Sequence, residues 1–207
     1  MRFDQQLLNL AVKEGASLIK ERVVGVQRIH GRWKIQTQRS SYEAETLVGA
    51  DGVNSLVRRN TVGSLSRKDI GACFGYFVKG LETNEVTIKF LPRKGYIWIV
   101  PRGENTSIGG GTAEIASFSE VKKEVAAFVN EFCPKAEKTS TWSTLVPNVK
   151  EVATLRIPVA GRNWALIGDA AGHVDPISGE GILYAMLDGE LAAEAIAKGH
   201  LELLNKF

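Results

Sequence analysis

Two stretches of this chain place an aspartate beside a glycine directly after an apolar run. In one, Trp164-Ala165-Leu166-Ile167 leads into Gly168-Asp169-Ala170-Ala171-Gly172, and Pro176-Ile177-Ser178-Gly179-Glu180-Gly181-Ile182 then opens a long helical pattern. A strand end facing a helix start offers unpaired N–H groups and the positive end of the helix dipole. Such a place suits an electron-rich or anionic ligand group. Asp169 there can accept hydrogen bonds from ligand hydroxyls, and glycine at 179 and 181 removes the Cβ atoms that would keep a flat ring off the backbone. The competing reading is a plain strand-to-helix turn capped by Asp169, which suits an isolated Gly-Asp better than it suits the whole run. In the other stretch, Ala50-Asp51-Gly52-Val53-Asn54-Ser55-Leu56-Val57-Arg58 repeats the arrangement, and taken alone it reads as a capped turn.

The elements that would position these residues follow from periodicity. Asp4 is placed to cap a first helix carrying Leu7, Leu8, Ala11 and Val12 on one face, with Gly15 as its stop. Val23–Val26, Trp33–Thr37 and Tyr42–Val48 predict a small antiparallel meander turning at His30-Gly31-Arg32, its third strand feeding the first Asp-Gly. From Gly71 to about Thr112 the pattern is strand after strand, through Phe74/Tyr76/Val78, Val86/Ile88/Phe90 and Tyr96/Trp98/Val100, which predicts a second antiparallel sheet. Gly109-Gly110-Gly111 reads as a turn or as close packing against a ligand. Ser117-Phe118-Ser119-Glu120 has the form of a capping box, and Val121, Val125, Phe128, Val129 and Phe132 share one helical face ahead of Pro134. Leu155-Arg156-Ile157-Pro158 reads as extended. In the last helix, Ile182, Ala185, Met186, Gly189, Ala193 and Ile196 form one stripe.

Composition bounds the function. The 207 residues are 44% hydrophobic and 24% charged, an ordinary globular balance that excludes a disordered or collagen-like chain. A net charge of only +3, scattered along the chain, gives no nucleic-acid surface. Cys73 and Cys133 lie far apart without a CxxC pair, which argues against a disulfide framework or zinc site and for a reducing cytoplasm. No apolar run approaches the roughly 18 residues of a spanning helix. Met1-Arg2-Phe3-Asp4-Gln5-Gln6 lacks the basic and apolar regions of a signal peptide, so a cytoplasmic location is expected. His30, His173 and His200 have no partner at metal-ligand spacing, and ordinary hydrogen-bonded or solvated histidine is the better reading, with His173 in the glycine loop also close enough to touch a ligand. The pairs Arg67-Lys68 and Arg93-Lys94 read as solvated faces, either of which could meet a lipid phosphate.

Taken together, these motifs resemble the FAD-dependent oxidoreductases of the para-hydroxybenzoate hydroxylase-like superfamily, and within it the geranylgeranyl reductase family. Ala50-Asp51-Gly52, Ser55 and Arg58 are similar to the superfamily's DG fingerprint, and Gly168-Asp169-Ala170-Ala171-Gly172 to its GD fingerprint. Pro176 with Gly179-Glu180-Gly181-Ile182 is closer to the reductases than to the hydroxylases. Tyr96-Ile97-Trp98-Ile99-Val100-Pro101 is similar to the reductases' YxWxFP signature, with Val100 in place of the usual Phe. The resemblance implies that Asp51, Gly52, Ser55, Arg58, Gly168, Asp169, Ala170, Gly172, Pro176, Gly179, Gly181 and Ile182 contact FAD, Asp169 through the ribityl and pyrophosphate region. It further implies that Tyr96, Trp98 and Pro101 contact substrate along an apolar channel between the Tyr96/Trp98 strand and the Gly179–Gly181 turn. One departure stands out: the 207 residues hold no βαβ unit with GxGxxG for the ADP half of the cofactor.

The implied fold class is α/β (α+β), a partial FAD-binding lobe of para-hydroxybenzoate hydroxylase-like type with an antiparallel-sheet substrate lobe. Residues 1–66 and 151–207 would form the first lobe and 67–150 the second. The implied activity is FAD-dependent reduction of C=C bonds in geranylgeranyl or other isoprenoid chains of lipids or pigments. The expected partners are that lipid substrate, a peripheral membrane contact and a separate chain supplying the ADP-binding unit. Two rivals stay open, a flavin monooxygenase or halogenase sharing both fingerprints, and a truncated or split subunit without activity of its own.

Overall fold

The computed structural model describes residues 2–92, 95–175 and 177–206, and falls into two compact units, Met1–Glu45 and Thr46–Phe207. Arg93, Lys94 and Pro176 therefore lie outside the described residues. In the first unit, α1 (Arg2–Lys13) begins earlier than its expected cap, so Asp4 sits in the first turn, where a carboxylate meets the positive dipole end. The helix stops as expected, with Gly15 at φ +104° and the Ala16 N–H donating back to the Ala11 carbonyl at 3.0 Å. Strands β1 (Val23–Ile29), β2 (Arg32–Thr37) and β3 (Ser41–Ala44) form the antiparallel meander. His30 and Gly31, at φ 48° and 84°, supply the two left-handed residues that a tight hairpin between twisted strands needs.

The third strand is shorter than the sequence suggests. It ends at Ala44, and Leu47–Gly49 instead forms β4 of the second unit, running parallel to Trp164–Leu166 with Leu47 opposite Trp164. A glycine turn then leads into the short helix α2 (Leu56–Arg59). Beyond it lie β5 (Ile70–Lys79), β6 (Thr87–Phe90), β7 (Gly95–Pro101), β8 (Thr106–Thr112), α3 (Phe118–Phe132), β9 (Glu137–Pro147), α4 (Val152–Leu155), β10 (Ala160–Gly161), β11 (Trp164–Leu166) and α5 (Ile182–Lys198). These make two sheets. The small one has the order β10-β11-β4, and the large antiparallel one has the order β6-β7-β8-β5-β9. Mixed α and β structure with antiparallel sheets agrees with the expected class.

Four local expectations are corrected. Gly109 to Gly111 lie inside β8 rather than in a turn, and the indoles of Trp98 and Trp142 pack on Gly109. Ser117 stands at the start of α3, yet its side chain makes no capping bond, because a 3-10 turn over Ile115–Ser117 precedes it. Of the stretch Leu155–Pro158, expected to be extended, Leu155 ends the short helix over Val152–Leu155 and Arg156 continues it into a turn. On α5 the buried residues are Ala192 and Ala195, whereas Ile182, Met186 and Ile196 from the expected stripe are exposed. A helix apolar nearly all round does not announce its packing face, and here the small side chains win because they allow close approach.

The large sheet has two unlike faces. One packs on α3 through Phe74, Val78, Ile97, Ile108, Val121, Val125, Phe128 and Val129. The other carries an aromatic layer: Trp98 stacks on Trp142 with centroids 5.8 Å apart, Tyr96 lies 5.6 Å from Trp98, and Phe90 lies 6.3 Å from Tyr96. Glycines in β5 and β8 make room for the indoles. A Cβ on Gly75 would sit 2.5 Å from the Trp142 ring and 2.6 Å from the Ile108 carbonyl oxygen, a backbone atom that cannot swing away. Gly75→Ala is therefore expected to destabilise the chain by about 1–3 kcal/mol through overpacking and to shift the tryptophan emission, as urea unfolding followed by fluorescence would record. Wild-type stability in that variant would mean the layer is loosely packed.

Candidate functional site

Both Asp-Gly stretches fall at strand ends of the small sheet, and one side chain joins them. Gly49, the last residue of β4, lets the neighbouring elements close on it, since a Cβ there would lie 2.7 Å from that of Val57 and 2.9 Å from Leu166. Arg58, 2% exposed, reaches from α2 to the loop after β11, where its Nη1 donates to the carbonyls of Ala170 and Ala171, both at 3.2 Å. Burial pulls its pKa down, and the nearby carboxylate of Asp69 partly opposes that. Asp69, itself buried, accepts from the Lys150 N–H and the Thr154 hydroxyl. The Arg58 Nε has no partner among the described residues.

Asp51 and Ser55 cap α2. Asp51 Oδ2 accepts the Leu56 N–H at 2.7 Å, and Ser55 Oγ accepts the Arg58 N–H at 2.8 Å. Gly52, at φ 76°, supplies the left-handed residue between them. The capped-turn reading of this stretch is thus realised locally, and its tie to the second loop runs through Arg58.

Asp169 stands differently. Its carboxylate forms no hydrogen bond or ion pair among the described residues, yet burial raises its pKa above the ordinary carboxylate value. Gly181 faces it, and a Cβ at that position would come within 3.3 Å of Asp169 Oδ1. Gly168, at φ 56°, and Gly172, at φ 88°, set the loop's two bends, while the Ala170 side chain is buried with Val57 and Leu166. A half-buried carboxylate without a donor is costly unless a ligand supplies one.

The turn leading into α5 is built on Asp175, which the sequence reading passed over. Its Oδ1 accepts the N–H groups of Ile177 and Ser178 and the Ser178 hydroxyl, and these bonds, Ser178's first, hold its carboxyl below the ordinary range. Glu180 caps the helix by accepting the Leu183 N–H at 3.0 Å. Gly179, at φ 72°, lies against the Tyr96 hydroxyl, which donates to the Ser178 carbonyl. The structure thereby brings Tyr96 of β7 to the Gly179–Gly181 turn. Trp98 is on the same face, one step further along the strand. Pro101 alternates with Ile97 and Ile99 onto the opposite face, so it is separated from the other two aromatic-signature residues. Ile182 is exposed.

Between the aromatic strand and the turn, the half-buried rings of Tyr96 and Trp98 form a continuous aromatic layer. Clefts of about 330 and 490 Å³ are lined by Thr112, Glu114 and Glu120, and by Arg67, Lys68 and Lys150, without Tyr96 or Trp98. Cys73 sits on the aromatic face beside Gly111, and burial pushes its thiol up to about 11. Alkylation of Cys73 by iodoacetamide at pH 8 should therefore run about a hundredfold slower than for an ordinary thiol and accelerate toward pH 11, read by peptide mass spectrometry. Fast labelling at pH 8 would mean that the face is more open than described. His173 bonds to Asp188 of α5, a residue not singled out in the sequence; its signal was an aspartate in the middle of an apolar helix. Among the described residues, no helix is long and apolar enough to cross a membrane.

A family model described as FAD dependent oxidoreductase matches residues 1–195. Digeranylgeranylglycerophospholipid reductase of Methanosarcina acetivorans is 31% identical over 97% of this chain and 54% of its own length, and that of Methanothrix thermoacetophila 33% identical over 94% and 53%. The chain thus spans about half the length of the curated relatives it matches. Among solved structures, a geranylgeranyl bacteriochlorophyll reductase-like protein from Thermoplasma acidophilum superposes with a TM-score of 0.84 at 26% identity, covering 99% of this chain and 57% of that one. A flavin-dependent brominase follows at 0.75 and 23% identity, covering 95% and 55%, a likeness of fold.

Proposed function

Since the chain belongs to the FAD dependent oxidoreductase family, we propose that it carries the flavin-facing and substrate-facing part of a reductase that saturates C=C bonds in geranylgeranyl or related isoprenoid chains. The observation that carries the cofactor half of this reading is Asp169, a half-buried carboxylate without a donor, set against a glycine at the start of α5. The described residues fit FAD in that respect, because its ribityl hydroxyls are donors of the kind Asp169 lacks. Bound FAD would supply the hydride chemistry.

In this reading residues 1–66 and 151–207 form the flavin lobe and 67–150 the substrate lobe. Asp169 accepts from ligand hydroxyls, Gly179 and Gly181 admit the ring edge, and the first turn of α5 presents its partial positive charge. Asp51 and Ser55 hold α2, and Arg58 holds the loop, so these three act by positioning. Tyr96 fixes the turn through Ser178, while the aromatic layer of Trp98 and Trp142 excludes water and offers apolar area to a chain with few polar handles, at about 25 cal/mol per Å² buried. In this reading the lipid is met at a membrane surface. The names of the relatives support the isoprenoid substrate, and the aromatic face is of a kind that suits it.

The test is anaerobic incubation of the purified chain with FAD, dithionite and a digeranylgeranyl glycerolipid, followed by lipid mass spectrometry. A gain of two hydrogens per reduced bond supports the reading. FAD binding without any lipid reduction would favour the split-subunit alternative, and oxygen incorporation or halogenation in air would favour the monooxygenase class.

A further inference from the structure

The loop from Gly168 to His173 is gripped from two sides by opposite charges. On one side the Arg58 guanidinium binds the carbonyls of Ala170 and Ala171, the middle of the loop. On the other, a single carboxylate oxygen of α5 joins its two ends: Asp188 Oδ2 accepts the Gly168 N–H at 2.7 Å and lies 2.8 Å from His173 Nδ1. The loop also closes on itself, with the His173 N–H donating to the Gly168 carbonyl at 3.1 Å.

Asp188 has little local reason to be there. Aspartate is a poor residue for a helix interior, and this one sits between Leu187 and Gly189 in a mainly apolar helix with its side chain only 15% exposed. Its compensation is the pair of donors, and a bond to a charged acceptor is stronger and more directional than a neutral one. What it fixes is the residue whose conformation aims the site. Gly168 is in the left-handed region at φ 56°, so close to α5 that a Cβ would lie 3.0 Å from that of Ala185, and the Asp169 side chain departs from the next residue. A rotation at Gly168 would swing the Asp169 carboxylate away from Gly181.

We infer that Asp188 is a positioning residue for flavin-nucleotide binding: by tying Gly168 and His173 to one oxygen it presents the Asp169 carboxylate to the ligand. This rests on the cofactor reading proposed above. The experiment compares the 207-residue wild-type chain with Asp188→Ala and Asp188→Asn by flavin fluorescence titration with FAD, by apo melting temperature and by the amide proton shift of Gly168. Asp188→Ala should weaken FAD about tenfold or more and move the Gly168 amide upfield even without FAD. Asp188→Asn, with its amide oxygen in the place of Oδ2, can still accept from the Gly168 N–H and from the His173 tautomer protonated at Nδ1, so it should recover affinity to within about threefold of wild type and keep most of the amide shift. A purely structural role would lower the apo melting temperature while the folded protein kept its FAD affinity.

Wild-type FAD affinity in Asp188→Ala overturns the inference and leaves the cofactor reading standing. Absence of saturable FAD binding in the wild-type chain overturns the cofactor reading and the inference with it. Should Asp188→Ala fail to fold, His173→Ala decides. It removes only the far-end contact, so a loss of about threefold or more supports the inference and unchanged affinity overturns it.

Discussion

Arg58→Ala is expected to destabilise the folded chain by about 3 kcal/mol, the largest effect of any single side chain at the site. The substitution leaves the carbonyls of Ala170 and Ala171 without their donor in a place where water does not reach, and each orphaned group costs about 1–3 kcal/mol. It also empties the volume of a fully buried stem and removes the positive charge facing Asp69. Part of this is offset, because burial of the guanidinium is itself unfavourable, which is what its lowered pKa expresses. For a chain of this size the loss corresponds to a melting temperature lower by about 6–12 °C. Arg58→Met, which keeps the stem but not the bonds, should recover the packing part alone. A loss under about 1 kcal/mol in the alanine variant would mean that the loop satisfies its carbonyls some other way.

Asp169→Ala should do the reverse, weakening FAD by about ten- to a hundredfold while leaving the apo chain at least as stable as before. The carboxylate has no partner in the described residues whose loss could be felt on folding. The pH dependence carries the same message with a definite sign. Burial raises the folded pKa above its ordinary value of 3.8, so the folded chain keeps a proton that the unfolded chain has already released. Stability therefore falls as pH rises from the ordinary value through the raised one. Asp169→Ala removes that slope and should be relatively more stable than wild type at neutral pH. Ligand hydroxyls favour the ionised form, so wild-type FAD affinity should decline on acidification through the same range, and the variant's should not. Unchanged FAD affinity beside a lowered apo melting temperature would make Asp169 a turn residue.

Much of the site was legible in the sequence because its two loops depend on residue types with few substitutes. Gly52, Gly168, Gly172 and Gly179 adopt left-handed φ values that glycine alone takes readily, and their spacing from Asp51 and Asp169 is visible in one dimension. The hairpin at His30-Gly31 and the α3 face were readable for similar local reasons. What stayed hidden was set by tertiary partners. β9 is rich in Ser and Thr with one tryptophan, so its strand character comes from pairing with β5 along its whole length rather than from an apolar alternation. The fate of Leu47–Gly49 depended on β11, over a hundred residues away. The packing face of α5 and the role of Asp188 likewise depend on contacts that no spacing rule encodes, whereas Asp175 makes a local turn with Ile177 and Ser178 of a kind that spacing does encode. Pro101 was grouped with Tyr96 and Trp98 by motif, yet strand alternation puts it on the other face.

The central claim is that the turn around Asp169 and the start of α5 is where FAD sits, and amide shift mapping by NMR tests it most directly. On titrating FAD into the uniformly labelled 207-residue chain, the account predicts saturable shifts concentrated at Gly168–Gly172 and at Ile177–Ile182, largest at Asp169 and Gly181, with a midpoint moved to about ten- to a hundredfold higher FAD by Asp169→Ala. Saturable FAD binding whose shifts fall elsewhere, or a titration midpoint unchanged in Asp169→Ala, would contradict it.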